Sequence, residues 1–297
     1  MALKAKAPEV KEKRLKMFVF GPAGVGKTTG IIQFPNSYII DTEKGTDFYS
    51  NTINKAKSVV LQSFNIDDIK DEMTALATEK HSYKTLIIDP ITQIYTATQE
   101  KWNRIFEKHA KSQKDAEVQD FGMRYWGKVK GEFKSIQRLL IRLDMNVIIT
   151  AHQKDVYGSG FTKTGVTFDS MKGDDYFFDL VFRIVNKAGT RIAITEKERA
   201  IPGQEKFPPE FEWSYENFKK YYGAKIIEKE SSPIVLASPG QVQMISDLIE
   251  TLNISDEEVD KLKRKFNVDE WSELTEEQIL KGIEYFQQKL KKIQGGK

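Results

Sequence analysis

The segment FVFGPAGVGKTTG, residues 18–30, constrains the fold more strongly than any other part of this 297-residue sequence. Gly21 and Gly26 stand five positions apart, and Lys27 and Thr28 follow directly, which is the full spacing of a phosphate-binding loop. An apolar run precedes the glycines, and a helical pattern follows them. The segment therefore predicts a strand, a tight loop and a helix, in that order.

The residue types of this loop suit a nucleotide polyphosphate. Glycines let backbone N–H groups approach phosphate oxygens, and the helix N-terminus adds the positive end of its dipole. Lys27 can reach the β- and γ-phosphates, and the Thr28 hydroxyl can bind Mg²⁺. ATP and Mg²⁺ are therefore the expected cofactors. The residues expected to contact the nucleotide at the loop are Gly21, Pro22, Ala23, Gly24, Val25, Gly26, Lys27, Thr28 and Thr29.

Strand and helix patterns alternate along the chain. Apolar runs predict strands at 15–20, 37–41, 58–62, 84–90 and 145–152, and a hairpin at 180–186 and 191–198. Helical periodicity is present at 65–80, 91–110 and 123–143. Strands that are apolar throughout and separated by helices indicate a mostly parallel sheet covered on both faces. The expected fold class is therefore α/β.

Shifts in composition divide the chain into four segments. Six of the first sixteen residues are Lys or Arg, which predicts a basic N-terminal tail over 1–16. The α/β core is expected over 17–225, and a Ser/Pro-containing stretch predicts a linker over 226–238. Three short helical patterns then predict a small C-terminal helical domain over 239–297.

Composition narrows the possible function classes. The chain has no cysteine, which excludes disulfides and cysteine-ligated metals. No apolar run approaches the ~20 residues of a membrane helix, and no signal-peptide pattern is present, so a cytoplasmic location is expected. Residues 238–297 carry nine Lys/Arg and 12 Asp/Glu, whereas the rest of the chain carries 37 and 31. This modest basic bias is compatible with a polyanion partner.

Two acidic residues follow predicted strands. Asp89 ends the apolar run TLIID, where it would lie beside the phosphate loop and hold the metal through water, although many strands end in Asp at a turn. In most phosphate-loop families a catalytic carboxylate directly follows this Asp, but here Pro90 follows it. Glu43, in IIDTEKGTDFY, is the candidate to polarise a water against the γ-phosphate. The alternative is an ordinary exposed Glu in a turn.

The Asp-x-Glu ending of this strand resembles that of the RecA-like ATPases. Within that resemblance, Asp47 and Tyr49 fall where relatives touch the adenine, although Tyr49 is one position off the pattern. NVIITAHQKD ends a strand with His152 and Gln153, where RecA-like and DnaB-like proteins place a γ-phosphate sensor. His152 could equally be a satisfied core histidine.

The resemblance also implies a basic finger. TEKER places Lys197 and Arg199 at a strand end, similar to the paired cations that RecA and DnaB relatives insert into the site of a neighbouring subunit. Both would project from the same face, because one residue separates them. The alternative is two solvated cations on a hairpin.

Two segments are candidates for nucleic-acid contact. Residues 154–177 have little periodicity and predict a long loop, which in RecA proteins contacts single-stranded DNA; its candidate contacts are Lys154, Lys163 and Lys172. FGMRYWGKVKGEFK interleaves aromatic residues with cations that include Arg124 and Lys128, a combination that suits unstacked bases. A helix that buries the apolar residues of this segment explains the pattern equally well; these residues are Tyr125, Trp126, Val129 and Phe133.

The resemblance covers residues 17–225 and is strongest to phage-encoded RecA-like ATPases, including single-strand annealing proteins of that fold. It implies a RecA-like core that hydrolyses ATP with DNA stimulation and acts on single-stranded DNA in phage recombination or replication. It also implies a homo-oligomer in the cytoplasm of an infected bacterium. A single-strand-binding or other recombination protein is a further expected partner, through the C-terminal domain. The alternative is a nucleotide-dependent switch or assembly factor that binds a protein and no DNA.

Overall fold

The structure is a computed structural model that describes residues 13–109, 125–159, 162–199, 205–266 and 268–294. The chain forms two compact units. The first contains the described residues of Met1–Ile69, His81–Lys130 and Asp144–Ser231, and the second those of Lys70–Lys80, Gly131–Leu143 and Ser232–Lys297.

The first unit is built on one sheet. Its strands in the described part of the chain are β1 (Lys16–Gly21), β2 (Ser37–Asp41), β3 (Val59–Gln62), β4 (Thr85–Asp89), β5 (Asn146–Tyr157), β6 (Lys163–Asp169), β7 (Leu180–Lys187), β8 (Thr190–Glu198) and β9 (Glu210–Glu212). The spatial order is β3-β2-β4-β5-β1-β7-β8-β9, and β6 pairs with β5. The pairs from β3 to β7 along this order are parallel, whereas β5–β6, β7–β8 and β8–β9 are antiparallel.

Helices flank this sheet and form the second unit. The helices up to residue 109 are α1 (Lys27–Ile31), α2 (Ser50–Lys55), α3 (Ile66–Thr78) and α4 (Ile91–His109). The later helices are Trp126–Arg142, Tyr215–Tyr222, Ala224–Ile227, Pro239–Thr251, Asp256–Phe266 and Glu276–Gln294. The predicted α/β fold, with a mostly parallel sheet flanked by helices, is confirmed.

The core of the first unit explains the apolar strands. All five residues of β4 are buried, and only the first residue of β1 is even partly exposed. Such strands are covered on both faces, so an apolar side chain at every position is stabilised by removal from water. Next to β7, a group of aromatic rings packs largely edge-to-face; it consists of Phe182, Phe207, Phe211, Trp213 and Phe218.

The prediction of a long loop over 154–177 is wrong. Strand β5 continues to Tyr157, and β6 returns beside it from Lys163 to Asp169, so most of the segment is an antiparallel hairpin. Thr164, Val166 and Phe168 are residue types that favour strands. Their backbone groups form hydrogen bonds with β5. The polar composition of the segment gave no indication of this pairing.

The second unit has its own apolar core. Ile245, Leu274, Ile279 and Phe286 are almost completely buried, and the flanking helices contribute further apolar side chains. The helix Pro239–Thr251 begins with a capping box between Ser238 and Gln241. The three helical patterns predicted after residue 238 are therefore present as helices.

The start of the described chain joins the first unit. Arg14 is buried and forms an ion pair with Asp144 at 2.8 Å, and it donates to the carbonyl oxygen of Lys229. Residues 1–12 of the predicted basic tail lie outside the described residues. Within the part of the chain that is described, no helix is both long and apolar enough to cross a membrane.

Gly30→Ala should destabilise the first unit. An ideal Cβ atom at position 30 would lie 2.8 Å from Cδ1 of Trp213, which is itself buried. Overpacking of this kind costs about 1–3 kcal/mol. A lower midpoint in denaturant-induced unfolding would show the loss.

Gly131→Ala is the matched control. Gly131 lies inside the helix Trp126–Arg142, and its Cβ would have no atom within 4 Å. Alanine there should be neutral or stabilise by about 0.5–1 kcal/mol. Equal midpoints for Gly30→Ala and the wild type would contradict the close packing of Trp213 on α1.

Candidate functional site

The phosphate-binding loop connects β1 to α1 at the carboxyl edge of the sheet. Gly24 and Gly26 have φ angles of 70° and 93°, in the left-handed region where glycine is favoured. Pro22, Ala23 and Gly24 are exposed, so a ligand can approach their backbone, whereas Val25 is buried. Gly21 ends β1, and Thr28 and Thr29 lie half-buried in the first turn of α1.

Lys27 is only 8 % exposed, and its ammonium group lies within the loop. Its Nζ donates to the carbonyl oxygens of Gly21 and Pro22, at 2.9 Å each. Burial lowers the pKa of the Lys27 ammonium, and the nearby carboxylates of Asp89 and Glu43 oppose that shift. The amine is therefore held where a phosphate oxygen could replace the carbonyl oxygens as its acceptor.

Asp89 lies at the end of β4 and is 5 % exposed. Its Oδ2 accepts a hydrogen bond of 2.7 Å from the Thr28 hydroxyl, and its Oδ1 accepts one from the Thr150 hydroxyl. Burial raises the pKa of the Asp89 carboxyl, and the bonds from Thr150 and Thr28 oppose that shift. The carboxylate is thus desolvated, with two hydroxyl groups as its partners.

Two of these side chains, Thr28 and Asp89, fit a magnesium site. Mg²⁺ usually takes one or two protein oxygens and completes its shell with water and substrate phosphates. The Thr28 hydroxyl and Asp89 Oδ2 are within hydrogen-bond distance of each other, beside the loop. Among the described residues there is no cluster of three or more His, Cys, Asp or Glu able to bind a metal alone. A metal here would therefore depend on the nucleotide phosphates for further ligands.

Glu43 lies just beyond the end of β2 and has two partners. Its Oε1 accepts from Nε2 of Gln93 at 2.6 Å, and the same oxygen lies 3.0 Å from Nε2 of His152. The carboxylate is about one-third exposed, so water can reach it. Gln93 lies on α4 and His152 lies on β5. Together they orient the Glu43 carboxylate beside the phosphate-binding loop.

Asp41 positions the turn that carries Glu43. It is 1 % exposed, and its two oxygens accept from the backbone N–H groups of Glu43, Gly45 and Thr46, at 2.9–3.1 Å. The Thr46 hydroxyl also donates to it. The Asp41 carboxylate accepts hydrogen bonds from turn N–H groups that would otherwise be unsatisfied. It therefore fixes the backbone position of Glu43.

These residues enclose one cleft. Strand pairing places Gly21 opposite His152 and Asp41 opposite Asp89, so all four lie at the carboxyl edge of the sheet. The cleft has a volume of about 150 Å³ and is lined by Ala23, Gly24, Lys27, Thr28, Asp41, Glu43, Gly45, Asp89, Pro90 and His152. It therefore combines hydrogen-bond donors suited to phosphate oxygens, an oxygen pair suited to Mg²⁺ (Thr28 and Asp89) and a carboxylate that can accept a proton from water.

Outside the phosphate-binding loop, the predicted residues Gln153, Asp47 and Tyr49 do not line this cleft. Gln153 follows His152 on β5, and successive side chains of a strand point to opposite faces. Asp47 accepts from the side chain of Gln62 and lines a separate cavity along β3. Tyr49 packs partly buried against the core of the first unit.

Lys197 and Arg199 lie at the opposite edge of the sheet from the loop. Leu180, at the start of β7, pairs with Glu198 on β8 and with Met17 on β1, far from Gly21. Lys197 donates to the carbonyl oxygen of Asp175. Arg199 forms an ion pair of 2.9 Å with Asp179. Neither cation lies near the phosphate-binding loop of its own chain.

The lysines of the predicted DNA segment are on or near the β5–β6 hairpin. Lys154 forms an ion pair with Asp169 at 3.0 Å, and Lys163 forms one with Asp155 at 2.8 Å. Lys172 is exposed just after the hairpin. Two of the three lysines are therefore already paired with carboxylates.

The aromatic segment around residue 128 is partly helical. Lys128 is exposed on the helix Trp126–Arg142, whereas Val129 and Phe133 are buried and unavailable for stacking on bases. Tyr125 packs edge-to-face on Phe106. Arg124 lies outside the described residues.

Sequence reasoning missed Asp41, Gln93 and Thr150. Asp41 is the first acidic residue of the quoted IIDTEKG segment, and a strand-end Asp followed by a Gly-containing turn is a readable signal for a side-chain cap. Gln93 and Thr150 meet their partners across 50 and 61 residues of chain. No local pattern marks such contacts.

A family model described as an AAA domain matches residues 13–207. The chain belongs to this AAA domain family. The match spans the phosphate-binding loop, the Glu43 turn, Asp89 and His152, and family membership makes the protein a nucleotide-binding P-loop ATPase.

Two solved structures show weaker similarity. The crystal structure of the RadB recombinase is 16% identical, with 64% of this chain and 84% of RadB covered and a TM-score of 0.39. The flagellar accessory protein FlaH from Methanocaldococcus jannaschii is 12% identical, with 66% and 83% covered and a TM-score of 0.34. No curated protein matches the sequence.

Asp89→Asn should stabilise the nucleotide-free protein at neutral pH. Because burial raises the pKa of Asp89, the folded state holds this proton more tightly than the unfolded state, and stability is lost as the pH rises from the unfolded pKa to the folded pKa. The amide removes the buried charge. Thermal unfolding at several pH values should show a higher Tm at neutral pH and a gain that shrinks as the pH falls through that pKa.

Asp41→Asn is the control, since its carboxylate accepts several hydrogen bonds from N–H groups. Its amide nitrogen cannot accept them, so this variant should lower the Tm. A lower Tm for Asp89→Asn at every pH would show that its two threonine partners stabilise the ionised carboxylate by more than burial destabilises it.

Proposed function

We propose that the protein hydrolyses ATP with Glu43 as the general base. The observation that carries this proposal is the position of the Glu43 carboxylate, which lines the same cleft as Lys27 and Thr28 and is held by Gln93 and His152. Pro90 occupies the place after Asp89, and among the carboxylates that line the cleft Glu43 is the one open to water, since Asp41 and Asp89 are buried.

Each residue of the cleft has a separate task in this mechanism. Lys27 would exchange its carbonyl acceptors for β- and γ-phosphate oxygens, and Thr28 and Asp89 would hold Mg²⁺, which would neutralise phosphate charge. Glu43 accepts a proton from the water that attacks the γ-phosphorus. His152, 3.0 Å from Glu43, is placed to respond to the γ-phosphate and to keep the carboxylate in position.

Glu43→Gln should bind ATP and lose hydrolysis. The amide keeps the size of the side chain but cannot take a proton, so kcat should fall about 10²–10⁴-fold. Lys27→Ala should instead lose nucleotide binding. ATP affinity and phosphate release, measured separately for both variants, distinguish the two roles.

Glu250→Gln is a matched control, because Glu250 is exposed on a helix of the second unit, and it should hydrolyse ATP at the wild-type rate. Hydrolysis by Glu43→Gln at the wild-type rate would remove Glu43 from the mechanism. Hydrolysis by neither the wild type nor the control would overturn the ATPase proposal itself.

We further propose that the protein uses ATP hydrolysis to act on single-stranded DNA in phage recombination or replication. The support is the exposure of Tyr176 and Phe177, which follow the β5–β6 hairpin in the chain. The Nζ atom of Lys197 lies 5.7 Å from the centre of the Tyr176 ring. Exposed rings with nearby cations provide stacking surfaces for bases and charge for phosphates.

The proposal includes two kinds of protein partner, further copies of this chain and a recombination protein. A homo-oligomer would bring Lys197 and Arg199 to the loop of a neighbouring subunit, since in their own subunit they lie at the far edge of the sheet. The helical segment 239–297 would bind a single-strand-binding or other recombination protein. The host would be an infected bacterium, with the protein in its cytoplasm.

One observation favours the alternative of a nucleotide-dependent switch that binds a protein instead. Lys154 and Lys163 are already neutralised by Asp169 and Asp155, which reduces the charge available to a polyanion. The exposed Tyr176 and Phe177 rings would then form part of a protein interface. The two possibilities differ in their dependence on salt and on nucleic acid.

Binding of single strands should weaken with salt in a way that depends on these lysines. In a plot of log affinity against log salt concentration, each phosphate contact with a single strand contributes about −0.7 to the slope. Replacing Lys154, Lys163 and Lys172 with Ala should therefore reduce that slope by about 2. A salt titration with a labelled oligonucleotide measures it, and the ATPase rate with single strands, duplex and RNA shows which polymer stimulates.

A triple alanine variant at Lys219, Lys220 and Lys261 controls for the loss of charge alone and should keep the wild-type slope. If the hairpin variant also keeps it, the DNA contact is elsewhere. An ATPase rate indifferent to every nucleic acid would favour the protein-binding switch.

A further inference from the structure

One cation beside the phosphate-binding loop has no role in the mechanism above. Arg191 lies on β8 next to the turn that joins β7 to β8, and its guanidinium lies over Gly26. The guanidinium carbon is 3.3 Å from where a Cβ of residue 26 would be, so a side chain there would require Arg191 to move. The loop and this arginine are therefore in direct contact.

The backbone of Arg191 is fixed from two sides. It pairs with Asn186 across the hairpin, and its carbonyl oxygen accepts from the backbone N–H of Trp213 at 2.8 Å. The carbonyl carbon of Ile184, on the same hairpin, would lie 3.4 Å from a Cβ at Gly21. The end of the β7–β8 hairpin is thus packed against the loop, which holds Arg191 in place.

The charge of Arg191 is uncompensated. No carboxylate in the described part of the chain forms an ion pair with it, and its side chain is exposed. Its neighbour Lys187, at the same end of the hairpin, is by contrast bound to Glu210 at 2.6 Å. A guanidinium carries five N–H donors in a planar fork that matches phosphate oxygens, so Arg191 has donors available for an anion on the loop.

The order of the sheet indicates which part of a nucleotide would meet Arg191. Glu43, Asp89 and His152 follow β2, β4 and β5, which lie on one side of β1, whereas β7 and β8 lie on the other. A triphosphate with its γ-phosphate toward Glu43 crosses the loop and extends its nucleoside end toward β8. The group beside Arg191 is then the α-phosphate.

We propose that Arg191 binds the α-phosphate of the nucleotide held by the phosphate-binding loop of its own subunit. This inference rests on the proposed ATP-binding function. Cations would then lie near both ends of β8. Arg191 would bind the nucleotide at the loop of its own subunit, whereas Lys197 and Arg199 lie at the far edge of the sheet.

The test is a comparison of ATP and ADP affinities by isothermal titration calorimetry. Because both nucleotides have an α-phosphate, Arg191→Ala should weaken both by about tenfold or more, the effect of losing a charge-assisted hydrogen bond. Arg191→Lys should recover part of the loss, since it keeps the charge without the fork. Lys187→Ala, which removes a paired cation from the same hairpin, should bind both nucleotides as the wild type does.

Each other outcome overturns the inference in a distinguishable way. Unchanged affinity of Arg191→Ala for both nucleotides, in a wild type that hydrolyses ATP, would reject the contact and leave the proposed function standing. A loss for ATP alone would place Arg191 at the γ-phosphate. A wild type that binds neither nucleotide would overturn the proposed function together with this inference. As a control, the Tm of each nucleotide-free variant is compared with that of the wild type. Equal values would show that a loss of affinity does not come from a loss of folding.

Discussion

Parallel pairing among β1, β2, β4 and β5 brings the carboxyl ends of these strands to one edge of the sheet. Gly21 lies opposite His152, and Asp41 lies opposite Asp89. A shift of one residue in any of these registers would turn the functional side chains to the other face. The buried apolar residues that set the register therefore also set the geometry of the cleft.

Two buried carboxylates at this edge are stabilised by different kinds of donor. Asp41 accepts mainly from backbone N–H groups, which are fixed in direction, and it serves as the framework of the Glu43 turn. Asp89 accepts from the hydroxyls of Thr28 and Thr150, which can rotate and can also act as acceptors. Asp41 thus has rigid partners, whereas Asp89, the proposed metal ligand, has partners that can adapt to an ion.

The sequence predicted the local part of this site and missed the long-range part. The loop from Gly21 to Thr28, the sheet and its covering helices depend on spacing and periodicity within short segments, which a single sequence displays directly. Gln93 and Arg191 contact the site only after distant strands have paired, so neither has a local pattern. The β5–β6 hairpin was missed because pairing with a neighbouring strand, rather than composition, makes it regular.

Strand β5 runs without interruption from the site into the hairpin, with His152 at the site and Tyr157 at the outer end. The Thr92 hydroxyl accepts from the His152 N–H and donates to the carbonyl oxygen of Asp169, which joins α4 to both strands of the hairpin. Side chains alternate between faces along such a strand. An insertion or deletion of one residue after His152 would exchange the two faces of the outer hairpin while leaving the cleft intact. A one-residue insertion in this strand should therefore disturb the hairpin beyond the cleft more than a single substitution does.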